Sequence, residues 1–264
     1  MKKEILNIPV VIFCGGKGTR LGEVTGGKLP KPLVKIGNDP ILLHIMKHYA
    51  KFGYCRFILC VGYQSWLIKD YFCNKSLMTN DVRIYQNEVH ILENSDHFDI
   101  SRWEITLVET GLETLTAGRL RRVMNYVDSD TFMLTYGDGL SDVDLNVLHK
   151  FHQNHNKGIT LTGVPAPGRF GEINTDATGC ASGFNEKPRI EGRLINGGYM
   201  CLQTDYVKGL IPSNADQIMF EEEPMRDAVK LGEVMVYSHD GFWQCMDTPR
   251  DLEILQKKHE EGFF

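Results

Sequence analysis

No Cys-x-x-Cys pair occurs among the seven cysteines, no apolar stretch is long enough to cross a bilayer, and neither a block of like charge nor a low-complexity tract interrupts the 264 residues. Each absence excludes something. An odd number of unpaired-looking cysteines, several inside apolar runs such as Phe57-Ile58-Leu59-Cys60-Val61, argues against a disulfide framework or a zinc ribbon. Reduced thiols in a reducing compartment are expected. Without about eighteen consecutive apolar residues there is no candidate membrane helix. The start, Met1-Lys2-Lys3-Glu4 followed by a short apolar run carrying Pro9, does not read as a signal peptide. The expectation is a soluble, cytoplasmic protein with no membrane partner. A net charge of −5 and no basic block make nucleic acid an unexpected partner too. Any phosphate this chain binds must meet cations concentrated locally.

What is present is alternation. Continuous apolar runs at 9–14 and 55–61 read as strands buried on both faces. Residues 105–109 and 132–136 read as further strands. Ile41, Leu42, Ile45, Met46 and Tyr49 recur at helical spacing behind Asn38-Asp39-Pro40, a cap followed by proline. Residues 66–72 and the set Leu120, Val123, Met124 and Val127 predict two more helices. The pattern predicts an α/β fold with a mixed, mostly parallel sheet flanked by helices. The second half is more mixed, with strands expected at 159–163, 172–174, 180–184 and 195–202, and helices at 206–210, 223–231 and 249–260. No linker or repeat divides the chain, so one domain over 1–264 with small β-rich elaborations is expected. The polar stretch 74–103 is expected to be an arm or an oligomer contact.

The stretch after the first strand is CGGKGTRLGEVTGGKLPKP, residues 14–32. Gly22-x-x-x-x-Gly27-Lys28 matches a phosphate-binding P-loop until Leu29, which has no hydroxyl for a metal. Pro30 and Pro32 then forbid the helix that should follow. Gly16-x-Gly18 starts a dinucleotide fingerprint, but the third glycine, Gly22, comes one residue late. The remaining reading is physical. Gly15, Gly16 and Gly18 let the backbone turn and let a ligand approach the main chain, whose N–H groups can converge on an anion. Arg20 offers a planar fork suited to phosphate oxygens, and Lys31 is stiffened by a proline on either side. A plain glycine-rich turn with solvated Lys and Arg is the alternative.

Gly15-Gly16-x-Gly18-Thr19-Arg20-Leu21 followed by Pro30-Lys31-Pro32 resembles the signature of the sugar-1-phosphate nucleotidylyltransferase family. The resemblance continues in order through Thr114-x-x-x-Gly118-Arg119-Leu120, Tyr136-Gly137-Asp138-Gly139, Pro167-Gly168-Arg169-Phe170-Gly171, Glu186-Lys187-Pro188, Ile195-Asn196-Gly197-Gly198, Glu221-Glu222-Glu223-Pro224 and Gly241-Phe242-Trp243-Gln244-x-Met246-Asp247-Thr248. Within the family it is most similar to the glucose-1-phosphate cytidylyltransferases. Thymidylyl members usually carry Gly-Leu-Ala-Gln-Ala and Gly-Asp-Asn where this chain has Gly118-Arg119-Leu120 and Gly137-Asp138-Gly139. Leu29 and Cys245 stand where relatives often have proline; Glu172 and Arg193-Leu194 are less typical and fall near the presumed sugar pocket.

The resemblance implies a Rossmann-like nucleotidyltransferase fold and the transfer of a cytidylyl group from CTP to a sugar 1-phosphate, most simply glucose 1-phosphate, with release of pyrophosphate. It implies Arg20 and Lys31 as catalytic residues, and Gly15, Gly16, Gly18, Thr19, Thr114, Gly118, Arg119, Gly137 and Asp138 around the nucleotide. Gly171, Glu186, Lys187 and Asn196 would bind the sugar phosphate, and Asp138 and Asp247 would hold Mg²⁺. A homo-oligomer and a role in surface-polysaccharide synthesis are implied as well. Taken alone, Asp138 and Asp247 read as turn or cap residues, Glu186-Lys187-Pro188 as a solvated turn, and Arg119, beside Arg121 and Arg122, as helix surface. Other nucleotides or phosphorylated substrates, a glycosyltransferase consuming an activated sugar, and a non-catalytic binding paralogue are the alternatives.

Three further patterns point elsewhere. Asp142-x-Asp144 matches a glycosyltransferase metal motif but leads into Leu145, Leu148 and Phe151 at helical spacing, so a helix cap is expected. His149, His152 and His155 are expected along the rim of that helix. Asn174-x-Asp176-x-Thr178-Gly179 begins like a calcium loop, but its twelfth position is Asn185, so a hairpin turn is expected.

Overall fold

The computed structural model describes residues 5–22, 26–86, 88–92, 102–166, 172–185 and 192–264. The first apolar run forms β1 (Leu6–Phe13), and its register against its neighbour shifts between Leu6 and Pro9, where proline has no N–H to give the ladder. A small hairpin, β2 (Lys35–Ile36) and β3 (Asp39–Pro40), turns at Gly37 and delivers the chain into α1 (Ile41–Lys51). The expected side-chain cap is not used. Pro40 holds the N-cap position, and Asp39 pairs with Lys47 instead. Then follow β4 (Tyr54–Val61) and α2 (Ser65–Thr79), the latter two turns longer than its apolar pattern suggests.

Part of the 74–103 stretch is thus helix. Beyond it, β5 (Val82–Tyr85) and β6 (Glu88–Ile91) make an exposed two-stranded hairpin. The chain returns through β7 (Glu104–Glu109), α3 (Thr116–Val123), β8 (Thr131–Tyr136), the short β9 (Gly139–Ser141) and α4 (Leu145–His155). The second half adds β10 (Ile159–Pro165), the hairpin β11 (Glu172–Thr175) and β12 (Ala181–Asn185), and the long β13 (Leu194–Gln203). It closes with α5 (Thr204–Leu210), α6 (Glu223–Lys230), β14 (Val234–Ser238), β15 (Trp243–Cys245) and α7 (Pro249–Glu260).

Seven strands form one sheet in the order β14-β10-β13-β8-β1-β4-β7. β13 runs against both neighbours, and the other pairings are parallel. Alternate residues of β1 feed two cores. Val10 and Ile12 pack with α1 and α4 residues such as Ile45 and Leu148, while Val11 and Phe13 pack with Leu120 of α3 and Val207 of α5. Each such fully buried aliphatic side chain contributes about 1.5–3 kcal/mol. The chain leaves β1 toward β4 on one side, and β8 lies on the other. A ligand crevice is expected at the carboxyl ends of strands around such a reversal.

Candidate active site

Strand ends bring the glycine loop and Asp138 together. The ladder runs one residue beyond β1, where Cys14 N donates to Cys60 O at 3.0 Å. Gly137 N donates to Phe13 O at 3.0 Å, so Gly137-Asp138 lies beside Cys14-Gly15. A cleft of about 500 Å³ opens there. Gly15, Gly16, Gly18 and Thr19 line it, together with Lys31, Gly137 and Asp138, with Thr114 from the segment entering α3, and with Arg119 from α3 itself.

Arg119 sits beneath the loop and is 5% exposed. It donates to Thr110 Oγ1 at 2.7 Å, to Gly15 O at 3.0 Å and to Leu112 O at 3.3 Å. A Cβ on Gly15 would fall 1.9 Å from Arg119 Nη1, so any side chain there must push the buried guanidinium aside. Burial pulls the Arg119 pKa down, yet a guanidinium keeps its proton in a protein. All its hydrogen-bond partners among the described residues are neutral, so the guanidinium is a buried positive charge with no carboxylate bonded to it. Such a charge is costly to the fold unless a ligand supplies the counter-charge. Gly18 takes φ +59°, and its missing Cβ would lie 3.0 Å from that of Lys31, so the loop turns directly against the lysine.

Lys31 opens a single turn, Lys31–Leu33, with Pro30 as its cap and Pro32 inside it. Its side chain is 10% exposed, and Nζ lies 2.7 Å from Asp138 Oδ2 and 2.7 Å from Asp247 Oδ1. Burial alone would lower the lysine pKa, but the two carboxylates outweigh it and the net shift is upward. The aspartates, remote in sequence, meet through a three-residue ladder. β15 pairs with β9, Cys245 opposite Gly139, and Met246 N donates to Asp138 O at 2.9 Å. Asp247 then precedes the capping box of α7, in which Asp251 receives the N–H groups of Asp247 and Thr248. Cys245 Sγ donates to Asp247 Oδ2 at 3.8 Å, and burial with the nearby aspartates pushes its thiol up to about 12, so it stays protonated.

Arg20 lies in the turn Thr19–Leu21 that follows the glycines; its side chain is outside the described part of the structure. Gly171, Glu186 and Lys187 also lie outside the described residues. Gly118 is packed against the neighbouring chain, since a Cβ there would meet Thr114 Cγ2 at 2.6 Å and Asp216 Cα at 2.7 Å. Asn196 lies on β13. It donates to Tyr136 Oη at 3.3 Å and accepts from Gly198 N at 2.8 Å.

The chain from residue 9 to residue 261 matches the model of the nucleotidyl transferase family. The chain belongs to that family. It is 44% identical over 256 residues to glucose-1-phosphate cytidylyltransferases of Salmonella typhi and Salmonella typhimurium, covering 96% of each partner and 96% of itself. Its fold is that of the solved inositol-1-phosphate CTP transferase from T. maritima, with a TM-score of 0.66, 19% identity and 99% coverage of both chains. This chain is therefore a nucleotidyltransferase, and its sheet is the mixed, mostly parallel sheet of that fold.

In this nucleotidyltransferase the cleft also uses residues to which sequence reading gave no role. Tyr136 lines it and donates its hydroxyl to Glu221 Oε1, while Thr116 Oγ1 donates to Glu221 Oε2. Burial and the glutamate keep the phenol protonated. Glu221 thereby ties the start of α3 to the Tyr136-Asn196 pair. It lies in the quoted Glu221-Glu222-Glu223-Pro224 motif, which was the available signal; three adjacent glutamates gave no means of choosing one. At the cleft mouth Lys17 pairs with Glu113.

The discounted patterns resolve structurally. Asp144 caps α4, accepting from Asn146 N and Val147 N at 2.9 Å each. Asp142 instead accepts from Phe242 N and pairs with His239. Asp176 closes the β11–β12 turn, accepting from Thr178 N and Cys180 N. The histidines need a correction. His152 is fully buried, with Nδ1 2.8 Å from Thr160 Oγ1, and is not on a rim. Among the described residues no group of three or more His, Cys, Asp or Glu side chains could hold a metal ion. No described helix is long and apolar enough to cross a membrane. All seven cysteines are free.

Proposed function

We infer that this chain transfers a cytidylyl group from CTP to a sugar 1-phosphate, most simply glucose 1-phosphate, giving a CDP-sugar and pyrophosphate. The observation that carries this is the convergence of Lys31, Asp138 and Asp247 at the glycine loop, over a buried Arg119 with no acidic partner among the described residues. The names of the Salmonella relatives support the choice of CTP and glucose 1-phosphate.

The chemistry needs little beyond position and charge. A phosphate oxygen of the sugar 1-phosphate attacks the α-phosphorus in line. The new P–O bond forms as the bond to the β-phosphate oxygen breaks, and pyrophosphate leaves. The nucleophile is already an anion, so no strong base is required. Main-chain N–H groups of Gly15, Gly16 and Gly18 receive the triphosphate, and Arg119 supplies fixed positive charge below them. Arg20 and Lys31 neutralise charge around the reacting phosphorus. Glu186, Lys187 and Asn196, with Gly171, bind the sugar phosphate.

Asp138 and Asp247 fit a divalent cation, since they already aim an oxygen each at one cation, the Lys31 ammonium. Mg²⁺ takes one or two carboxylates and completes its shell with water and phosphate. Bound there it would supply charge neutralisation on the triphosphate. One nucleotidyltransferase unit over 1–264, a homo-oligomeric assembly, a cytoplasmic location and a role in polysaccharide synthesis complete the proposal.

The test is pyrophosphate release over a matrix of nucleoside triphosphates and sugar 1-phosphates. Release with CTP and glucose 1-phosphate is expected. Release with dTTP and not CTP would remove the base assignment, and no release with any pair would remove the enzymatic reading.

A further inference from the structure

Lys31 occupies the position the proposed metal needs. Its Nζ stands 2.7 Å from one oxygen of each aspartate, and among the described residues it makes no other hydrogen bond. The β9–β15 ladder and the α7 capping box hold the two carboxylates beside each other through backbone contacts. Two anions placed so close repel, and a cation between them relieves the repulsion. In the nucleotide-free chain that cation is the ammonium. Its backbone is fixed in the Pro30–Pro32 turn, but four methylenes separate the ammonium from that anchor, so the head group can leave while the turn stays. An ammonium and a divalent ion cannot share one point, and at contact their repulsion weakens whichever binds second.

We propose that Lys31 is the resident counter-cation of Asp138 and Asp247, and that it holds the divalent-metal position closed until an incoming triphosphate draws the ammonium away. This rests on the metal assignment made under the proposed function. The same side chain then has two successive partners, the carboxylates in the free chain and phosphate oxygens in the loaded one. Metal uptake is thereby tied to nucleotide uptake, and the free protein is a poor metal binder. The arrangement also disfavours an ion stranded in the site without substrate.

The test uses Mn²⁺, a paramagnetic oxygen-seeking probe, titrated into the nucleotide-free full chain and followed by the electron paramagnetic resonance of the free ion. Two neutral variants are compared with wild type: Lys31→Met, close in volume, and Lys31→Gln, which keeps polar atoms if the methionine chain does not fold. Removing one positive charge at contact distance predicts a gain in Mn²⁺ affinity of about tenfold or more. Adding Asp247→Asn to the neutral variant is expected to abolish the gain. Equal or weaker binding in the neutral variants overturns the proposal. A gain that survives Asp247→Asn overturns it as well, because the ion is then held elsewhere. No substrate is present in this measurement, so its failure is separate from a failure of the pyrophosphate assay, which bears on the functional reading alone.

Discussion

Two adjacent glycines of the loop have opposite surroundings. A methyl group on Gly15 would collide with the Arg119 guanidinium, whereas one on Gly16 would meet nothing within 4 Å. Gly15→Ala is therefore expected to destabilise the fold by about 1–3 kcal/mol, through displacement of a buried charged group. It should also weaken CTP binding, because the charge below the loop moves. Gly16→Ala should leave the unfolding free energy within about 0.5 kcal/mol of wild type. Paired denaturation curves check this, and equal losses in the two variants would contradict the placement of Arg119. The need for glycine at 15 was legible in the sequence, but its cause was not. The motif marked close approach of a ligand, while the structure adds close approach of an arginine 104 residues away. Likewise the prolines marked Lys31 as held, and only the fold shows that two carboxylates hold its other end.

At the scale of elements, the capping box of α7 sets where Asp247 points. Thr248 accepts from Asp251 N, and Asp251 accepts from the N–H groups of Asp247 and Thr248. Asp251→Ala is expected to cost about 1 kcal/mol of stability, as losing a helix cap does. It should also raise the Mg²⁺ concentration needed for half-maximal pyrophosphate release, since the carboxylate proposed to hold the metal loses its anchor. An unchanged metal titration beside a lowered melting temperature would make the box purely structural. Long periodic elements were readable from sequence: α1, β1 and β4 lie where the pattern puts them. What was unreadable is short. β9 has three residues, too few for any period to show, and although the aromatics before Asp247 mark the strand that becomes β15, nothing in the sequence shows that the two pair, yet their pairing makes the site. β14, at the sheet edge, has an apolar run of only four residues, Val234 to Tyr237, too short to separate a strand from a helix end, and was also missed.

At the scale of the whole molecule, one half-buried and one fully buried histidine, His48 and His152, set a lower limit on the pH at which the fold is secure. Burial lowers the pKa of His48 to about 4 and that of His152 to about 4, against 6.5 in the free side chain. Above pH 6.5 both are neutral in the folded and unfolded chains, and stability does not depend on them. Between 6.5 and about 4 the unfolded chain takes up protons that the folded chain refuses, so stability falls as pH falls. Urea midpoints are expected to decline from pH 7 to pH 5, and the decline should be shallower in His152→Gln. An identical slope would mean that His152 is charged in the folded state. Its helix was legible, but its burial was not, because a histidine spaced at three from two others looks the same inside and outside.

If the sugar phosphate attacks CTP with its own phosphate oxygen, the bond from C1 to oxygen is never broken. Phosphorus NMR of the products made from CTP and glucose 1-phosphate carrying a heavy-oxygen label at the C1 oxygen tests this directly. The expected products are pyrophosphate and a diphosphate-linked sugar whose β-phosphorus still bears the label. Label released in inorganic phosphate, or no diphosphate-linked product at all, would contradict this attack.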